Sequence, residues 1–97
     1  MLIQGKLLSH ENDLSEVYRI RRKVIIEEMK IPETDEFDGQ DDLALHVIVY
    51  EEAGSKQAVA TGRIIFDGES CQIGHIAVLK EFRNRQYGDF AVRLLLN

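Results

Sequence analysis

The chain has 97 residues, 44% of them apolar and 30% charged, with a formal net charge of −5. That length allows a single domain, 1–97, with a modest core, and the acidic balance disfavours nucleic acid and anionic membrane as partners. One cysteine, Cys71, excludes an internal disulfide and points to a reducing compartment; with no signal-like start and no run of transmembrane length, a cytoplasmic protein is expected.

Met1 to Leu8 predicts a first strand, interrupted by Gln4, Gly5 and Lys6. Asn12 or Asp13 can cap a helix, and Glu16 stands three residues after Asp13, as in a capping box. Leu14, Val17, Tyr18, Val24, Ile25 and Met29 recur at mainly helical spacing, so a helix is predicted over 13–29. Ile31-Pro32 should end it, because proline disfavours the α conformation of the residue before it. Glu33 to Asp42 is acidic and, apart from Phe37, almost without apolar residues; a loop or a short, poorly packed helix is expected. Ala44 to Tyr50 is a Val/Ile-rich strand, and Glu51 to Gln57, with Gly54-Ser55, a hairpin turn. Ala58 to Phe66 is the next strand, with Gly62 a candidate bulge. Asp67-Gly68-Glu69-Ser70 is a tight turn, and Cys71 to Leu79 the last strand. The order β-α-loop-β-β-β-α, with an antiparallel meander, defines an α/β (α+β) fold.

The end of the chain carries the strongest chemical signal. Ile73, Ile76, Ala77, Val78 and Leu79 supply a strand; Arg83, Asn84, Arg85, Gln86, Tyr87 and Gly88 a basic loop; Phe90, Ala91, Val92, Leu94, Leu95 and Leu96 a helix. First-turn amides of a helix have no intrahelical acceptors, and its dipole favours an anion there. Arginines beside them add charge-assisted hydrogen bonds. Lys80, Arg83, Arg85 and Arg93 fall within fourteen residues, which suits a small anionic ligand better than a long polyanion. The plain alternative is a solvated loop with two surface arginines.

The run Val78-Leu79-Lys80-Glu81-Phe82-Arg83-Asn84-Arg85-Gln86-Tyr87-Gly88 resembles motif A of the GCN5-related N-acetyltransferases, whose loop reads Gln/Arg-x-x-Gly-x-Gly/Ala. Arg83 fits the first position and Gly88 the last, while Gln86 replaces the middle glycine and Asn84 the usual glycine after the arginine. Tyr18 to Glu28 resembles the first helix of one branch of that family, and Phe37-Asp38 to Tyr50 followed by Ala58 to Arg63 resembles its second and third strands. The resemblance implies an acyl-CoA N-acyltransferase-like fold, truncated before the C-terminal strands, and acetyl-CoA as the cofactor. Backbone groups of Ile76, Ala77 and Val78 would pair with the pantetheine arm. Arg83, Asn84, Arg85, Gln86, Tyr87, Gly88 and Asp89 would hold the pyrophosphate. A Gln at the middle position would be strained if its φ must be positive, whereas Asn84 tolerates left-handed geometry better than most residues.

The implied reaction is direct attack of an amine, from a small molecule or a peptide, on the thioester carbonyl, polarised by a backbone amide of the Ile76–Val78 strand. The expected base is His75, on the strand that would line the acyl-transfer site, with Glu28 a second candidate that could act through water; Glu27 and Glu33 are weaker ones. His46 could titrate near neutrality too, although a hydrogen-bonded strand histidine is the plainer reading of either. The acidic run Glu33, Asp35, Glu36, Asp38, Asp41 and Asp42 could attract a cationic acceptor, or be a solvated loop. No metal-spaced ligand set or nucleophilic triad is present. Many family members take the thiolate's proton from a tyrosine on a later helix, and the sequence ends at Asn97 before that helix. A homodimer or a complementing chain is therefore expected. The alternative is a non-catalytic CoA-binding or protein-interaction module derived from an acetyltransferase.

Overall fold

A computed structural model describes residues 2–96, so Met1 of the predicted first strand and Asn97 lie outside it. Strands β1 (Leu2–Leu8), β2 (Ala44–Ala53), β3 (Ser55–Asp67) and β4 (Ser70–Val78) form one antiparallel sheet in the order β1-β2-β3-β4. Helix α1 (Ser15–Arg21) continues into a π-helical segment (Arg22–Glu28); α2 (Glu33–Glu36) is a single turn, and α3 (Tyr87–Leu96) closes the fold.

The sheet is buried on both faces. Leu14, Val17, Ile20, Val24 and Ile25 pack with Ile48, Ala58, Ala77 and Leu79 on one side. Tyr87, Ala91 and Leu95 of α3 pack with Val47, Val49, Val59, Ala60 and Ile64 on the other. That is why β2 reads as a continuous apolar run: successive residues point to opposite layers, and both layers are dry. Each fully buried Val or Ile contributes about 1.5–3 kcal/mol. Gly5 of β1 lets α3 come close, since a Cβ there would lie 2.0 Å from Leu94 Cδ1.

Several boundaries differ from the sequence reading, each for a local reason. The first helix starts at Ser15, whose amide donates to Asp13 Oδ1 at 3.0 Å; Glu16 pairs with Arg19 instead of closing the capping box. The helix stops before Ile31-Pro32. Its last turn opens to an i→i+5 bond (Met29 N to Val24 O, 2.9 Å), and Lys30 reverses the chain at φ 63°. Met29 is consequently exposed and not part of the apolar stripe. The predicted 51–57 turn shrinks to Gly54 (φ 92°), because the β2–β3 ladder runs out to Ala53 and Ser55. The register of β3 against β4 shifts at Gly62, as expected of a bulge, and β4 supplies the extra residue: Thr61 opposes Ala77, Arg63 opposes Gly74, and His75 and Ile76 together face Gly62. His75 takes φ 54° there. Helix α3 begins at Tyr87, so Tyr87 and Gly88 are its first turn rather than the end of the loop. The acidic segment is not poorly packed: Glu36 is 4% exposed, with its carboxylate held inside.

Candidate anion loop and active site

Arg21 lies on the buried face of α1 and Arg63 in the middle of β3; both are nearly inaccessible. A guanidinium in such a place must be paired. The acidic segment supplies the partners. Arg21 Nε reaches Glu36 Oε2 at 2.6 Å, Nη1 reaches Asp41 at 2.8 Å, and Nη2 donates to the Glu36 carbonyl at 2.8 Å. Arg63 is bidentate on Asp38 (3.0 and 2.7 Å) and also bonds Asp41 at 2.9 Å. Hydrogen bonding from Arg63 holds the Asp38 carboxyl far below its ordinary range. Burial raises Asp41, but the hydrogen bonds from Arg21 and Arg63 outweigh it and leave the group depressed. Much of the run that could have attracted a cationic acceptor is thus spent on internal arginines. The sequence signal was available: two arginines at apolar positions require an acidic segment to face them.

His75 comes to the same network. Its Nδ1 lies 2.7 Å from Glu36 Oε2, and its side chain keeps 19% exposure, lining a groove of about 100 Å³ with Arg63 and Gly74. His46 is fully buried, with Nε2 3.1 Å from the Asp41 carbonyl and Nδ1 without a partner among the described residues; burial pushes its pKa down. A histidine so enclosed cannot touch a substrate. Glu28, on the π-helical segment, is held by Arg83 at 2.5 and 2.7 Å, and that bond lowers its pKa and weakens it as a base. Glu33 pairs with Arg22 on the surface. Glu27 and Glu28 line a groove of about 250 Å³ with Lys23, Leu79 and Lys80. His75 and Glu28 therefore sit in separate networks.

The loop after β4 is built for backbone chemistry. Leu79 N donates to Val59 O at 2.9 Å, so strand alternation turns the Val78 amide toward the open side of β4. Val78 O, on that side too, accepts from Arg83 Nε at 3.1 Å. Asn84 and Gln86 both adopt left-handed φ of 65°, so the backbone follows the glycine geometry of the motif although neither residue is glycine. Left-handed residues in a turn gather successive amides into an anion-binding concavity. The α3 ladder begins with Phe90 N to Gln86 O at 3.0 Å, which leaves Tyr87, Gly88 and Asp89 as the bare first turn.

Gly88 tests whether a CoA pyrophosphate suits this place. A Cβ added there would make ordinary 3.7 Å contacts with Ile76 and Val78, so the protein's own packing does not require glycine. Its bareness leaves room for phosphate oxygens at the helix start, and the residues fit the group. A cavity of about 340 Å³ beside it is lined by Arg85, Gln86, Tyr87 and Arg93, among others. The arginines are engaged: Arg83 with Glu28, and Arg85 with Glu51 at 2.8 Å. Glu51 also accepts the Tyr87 hydroxyl; this bond and Arg85 outweigh desolvation and hold Glu51 below its usual pKa, while burial, with Glu51 adding, raises Tyr87. Nothing in the sequence singled out Glu51, which lies in the segment read as a turn.

No protein-family model matches the chain. It is 39% identical over 90 residues to the Bacillus subtilis "Uncharacterized protein YyaT", covering 90% of the chain and 59% of that protein. It is 31% identical over 93 residues to a Bacillus subtilis protein named "Putative acetyltransferase BSU40680", covering 93% and 61%. The chain thus spans about three-fifths of the length of these relatives. The solved acyl-CoA N-acyltransferase of Pseudomonas aeruginosa superposes with a TM-score of 0.78 at 18% identity, over 98% of this chain and 68% of that one. With its β-α-β-β-β-α order and its loop between β4 and α3, the chain holds the N-terminal portion of the GCN5-related N-acetyltransferase fold.

Proposed function

We propose that the chain acts in acetyl transfer from acetyl-CoA to a primary amine, as part of an N-acyltransferase. The carrying observation is the loop 83–86, where Asn84 and Gln86 accept left-handed φ at a helix start kept bare by Gly88. A backbone held so against residue preference is ready for phosphate without rearrangement. When bound, acetyl-CoA supplies the activated acyl carbonyl. The amides of Tyr87, Gly88 and Asp89 would hold its pyrophosphate, with Arg83 and Arg85 exchanging Glu28 and Glu51 for phosphate oxygens. The outward amide of Val78 would bond the arm or the carbonyl oxygen. His75 would take the proton of the amine, because it stands on β4 directly before the Ile76–Val78 backbone that would hold the arm. Cytoplasmic operation, and completion of the acceptor side by a second copy or a complementing chain, belong to the same proposal.

Calorimetric titration with CoA tests the site. Wild type should bind, and replacing Arg83 and Arg85 together with Ala should weaken binding on the order of tenfold. The loss is limited because each arginine trades one anion for another. An unchanged affinity in the double variant would remove the arginines from the site. Turnover of acetyl-CoA with a panel of primary amines then separates an enzyme from a non-catalytic CoA-binding module.

A further inference from the structure

We propose that Glu36 is a positioning residue for His75: it fixes the neutral imidazole as the Nδ1–H tautomer and leaves Nε2 as the basic atom. The inference rests on the reading of His75 as the base. It starts from the bulge, where His75 and Ile76 stand opposite the single residue Gly62 and His75 takes φ 54°. Such a conformation persists where the surroundings over-determine it. Here it sets the ring on the buried carboxylate of α2, with Nδ1 2.7 Å from Glu36 Oε2.

Two groups contact Nδ1, and they demand opposite protonation. A carboxylate offers lone pairs, so Nδ1 must carry the hydrogen; a guanidinium only donates, so it would need Nδ1 bare. Arg21 Nη2 stands at 3.4 Å from Nδ1, against 2.7 Å for Glu36, and already donates to the Glu36 carbonyl at 2.8 Å. The carboxylate therefore decides the tautomer. Arg21 Nε, 2.6 Å from the same Oε2, holds the carboxylate in place. On the other side of the ring, Nε2 is 3.9 Å from Asp38 Oδ2, beyond hydrogen-bond reach, and both oxygens of Asp38 are taken by Arg63. Among the described residues no group hydrogen-bonds Nε2, which keeps its lone pair. In the proposed step a proton passes from the attacking nitrogen to Nε2: an N–H bond breaks, an Nε2–H bond forms, and the ring becomes imidazolium, still donating Nδ1–H to Glu36.

Long-range proton–nitrogen correlation spectra of ¹⁵N-histidine-labelled protein, at a pH where His75 is neutral, read the tautomer directly and need no turnover. His75→Gln assigns the signals. The expected result is a protonated-type Nδ1 and a bare-type Nε2 for His75. The reverse pattern, or an even mixture, in wild type would overturn the proposal. In Glu36→Leu, if it folds, the single tautomer should be lost, and its retention would equally overturn it. Amine acetylation by His75→Ala is a separate arm: full activity there would remove His75 as the base while leaving the tautomer assignment standing.

Discussion

Side chains in the loop between β4 and α3 are less telling than its backbone. From the sequence, Gln86 in the middle-glycine position looked like a departure from the motif, and a strained one if φ had to be positive. The structure gives it φ 65°, so the departure is in residue type and not in conformation. Left-handed φ costs an ordinary L-residue about 1–2 kcal/mol, whereas glycine's extra freedom in the unfolded chain costs about 0.4–1 kcal/mol. Gln86→Gly should therefore stabilise the protein by about 0.5 kcal/mol, raise the thermal midpoint by a few degrees and leave CoA affinity intact. A lowered midpoint would mean that the Gln86 side chain contributes contacts worth more than the strain. Arg83, Gly88 and the strand before them were legible because motif spacing depends on neighbours in the chain. Their carboxylate partners were not: Glu28 and Glu51 lie 55 and 34 residues away from Arg83 and Arg85.

At the level of elements, periodicity served where one face is uniformly apolar. Leu14, Val17, Val24 and Ile25 recur at helical spacing as the packed stripe of the first helix, and all four are buried. Val24→Asp should cost about 3 kcal/mol, because the carboxylate would be desolvated in a layer of Ile, Ala and Leu, with Lys23 and Lys80 only at the rim of the adjoining groove. A thermal midpoint that stays put would contradict that packing. The acidic segment defeated the same reasoning, since its order comes from ion pairs rather than apolar spacing. Its pairs also set the acid response. The folded pKa of His46 is depressed below 6.5, so the unfolded chain binds that proton first, and stability should fall as pH drops below about 6.5. Asp38 and Asp41 are depressed below 3.8; their contribution is present above about pH 4 and lost as pH falls further. Thermal midpoints from pH 7 to 3 should decline in two stages, and His46→Gln should flatten the first. A flat wild-type profile between pH 6.5 and 5 would show that His46 protonates without cost.

Across the whole molecule the sheet has two outer strands, β1 and β4, and β4 is the consequential one. Its amides alternate between β3 and the open side, and the half-buried Ile73, Ile76 and Val78 stand along it. Phe66 at the adjoining hairpin and Leu43 beside it are 65% and 72% exposed, and Leu96 of α3 is 61% exposed. An unpaired edge next to exposed apolar side chains is a template for another strand. In a chain that corresponds to about 60% of the length of its relatives, this is the edge that runs into the loop before α3. Two copies related by a two-fold axis, paired at the Ser70 end of β4 and clear of the Val78 amide, would satisfy both open edges at once, which is the commonest closed arrangement. Light scattering at micromolar concentration should accordingly give a mass above the 11.1 kDa of one chain. Lys placed at an exposed position of this edge, Gln72→Lys, should shift the mass toward the monomer, since a charge blunts strand pairing. A monodisperse monomer that also acetylates an amine would overturn the edge argument, for no second chain would then be needed to cover the β4 edge or to complete the acceptor side.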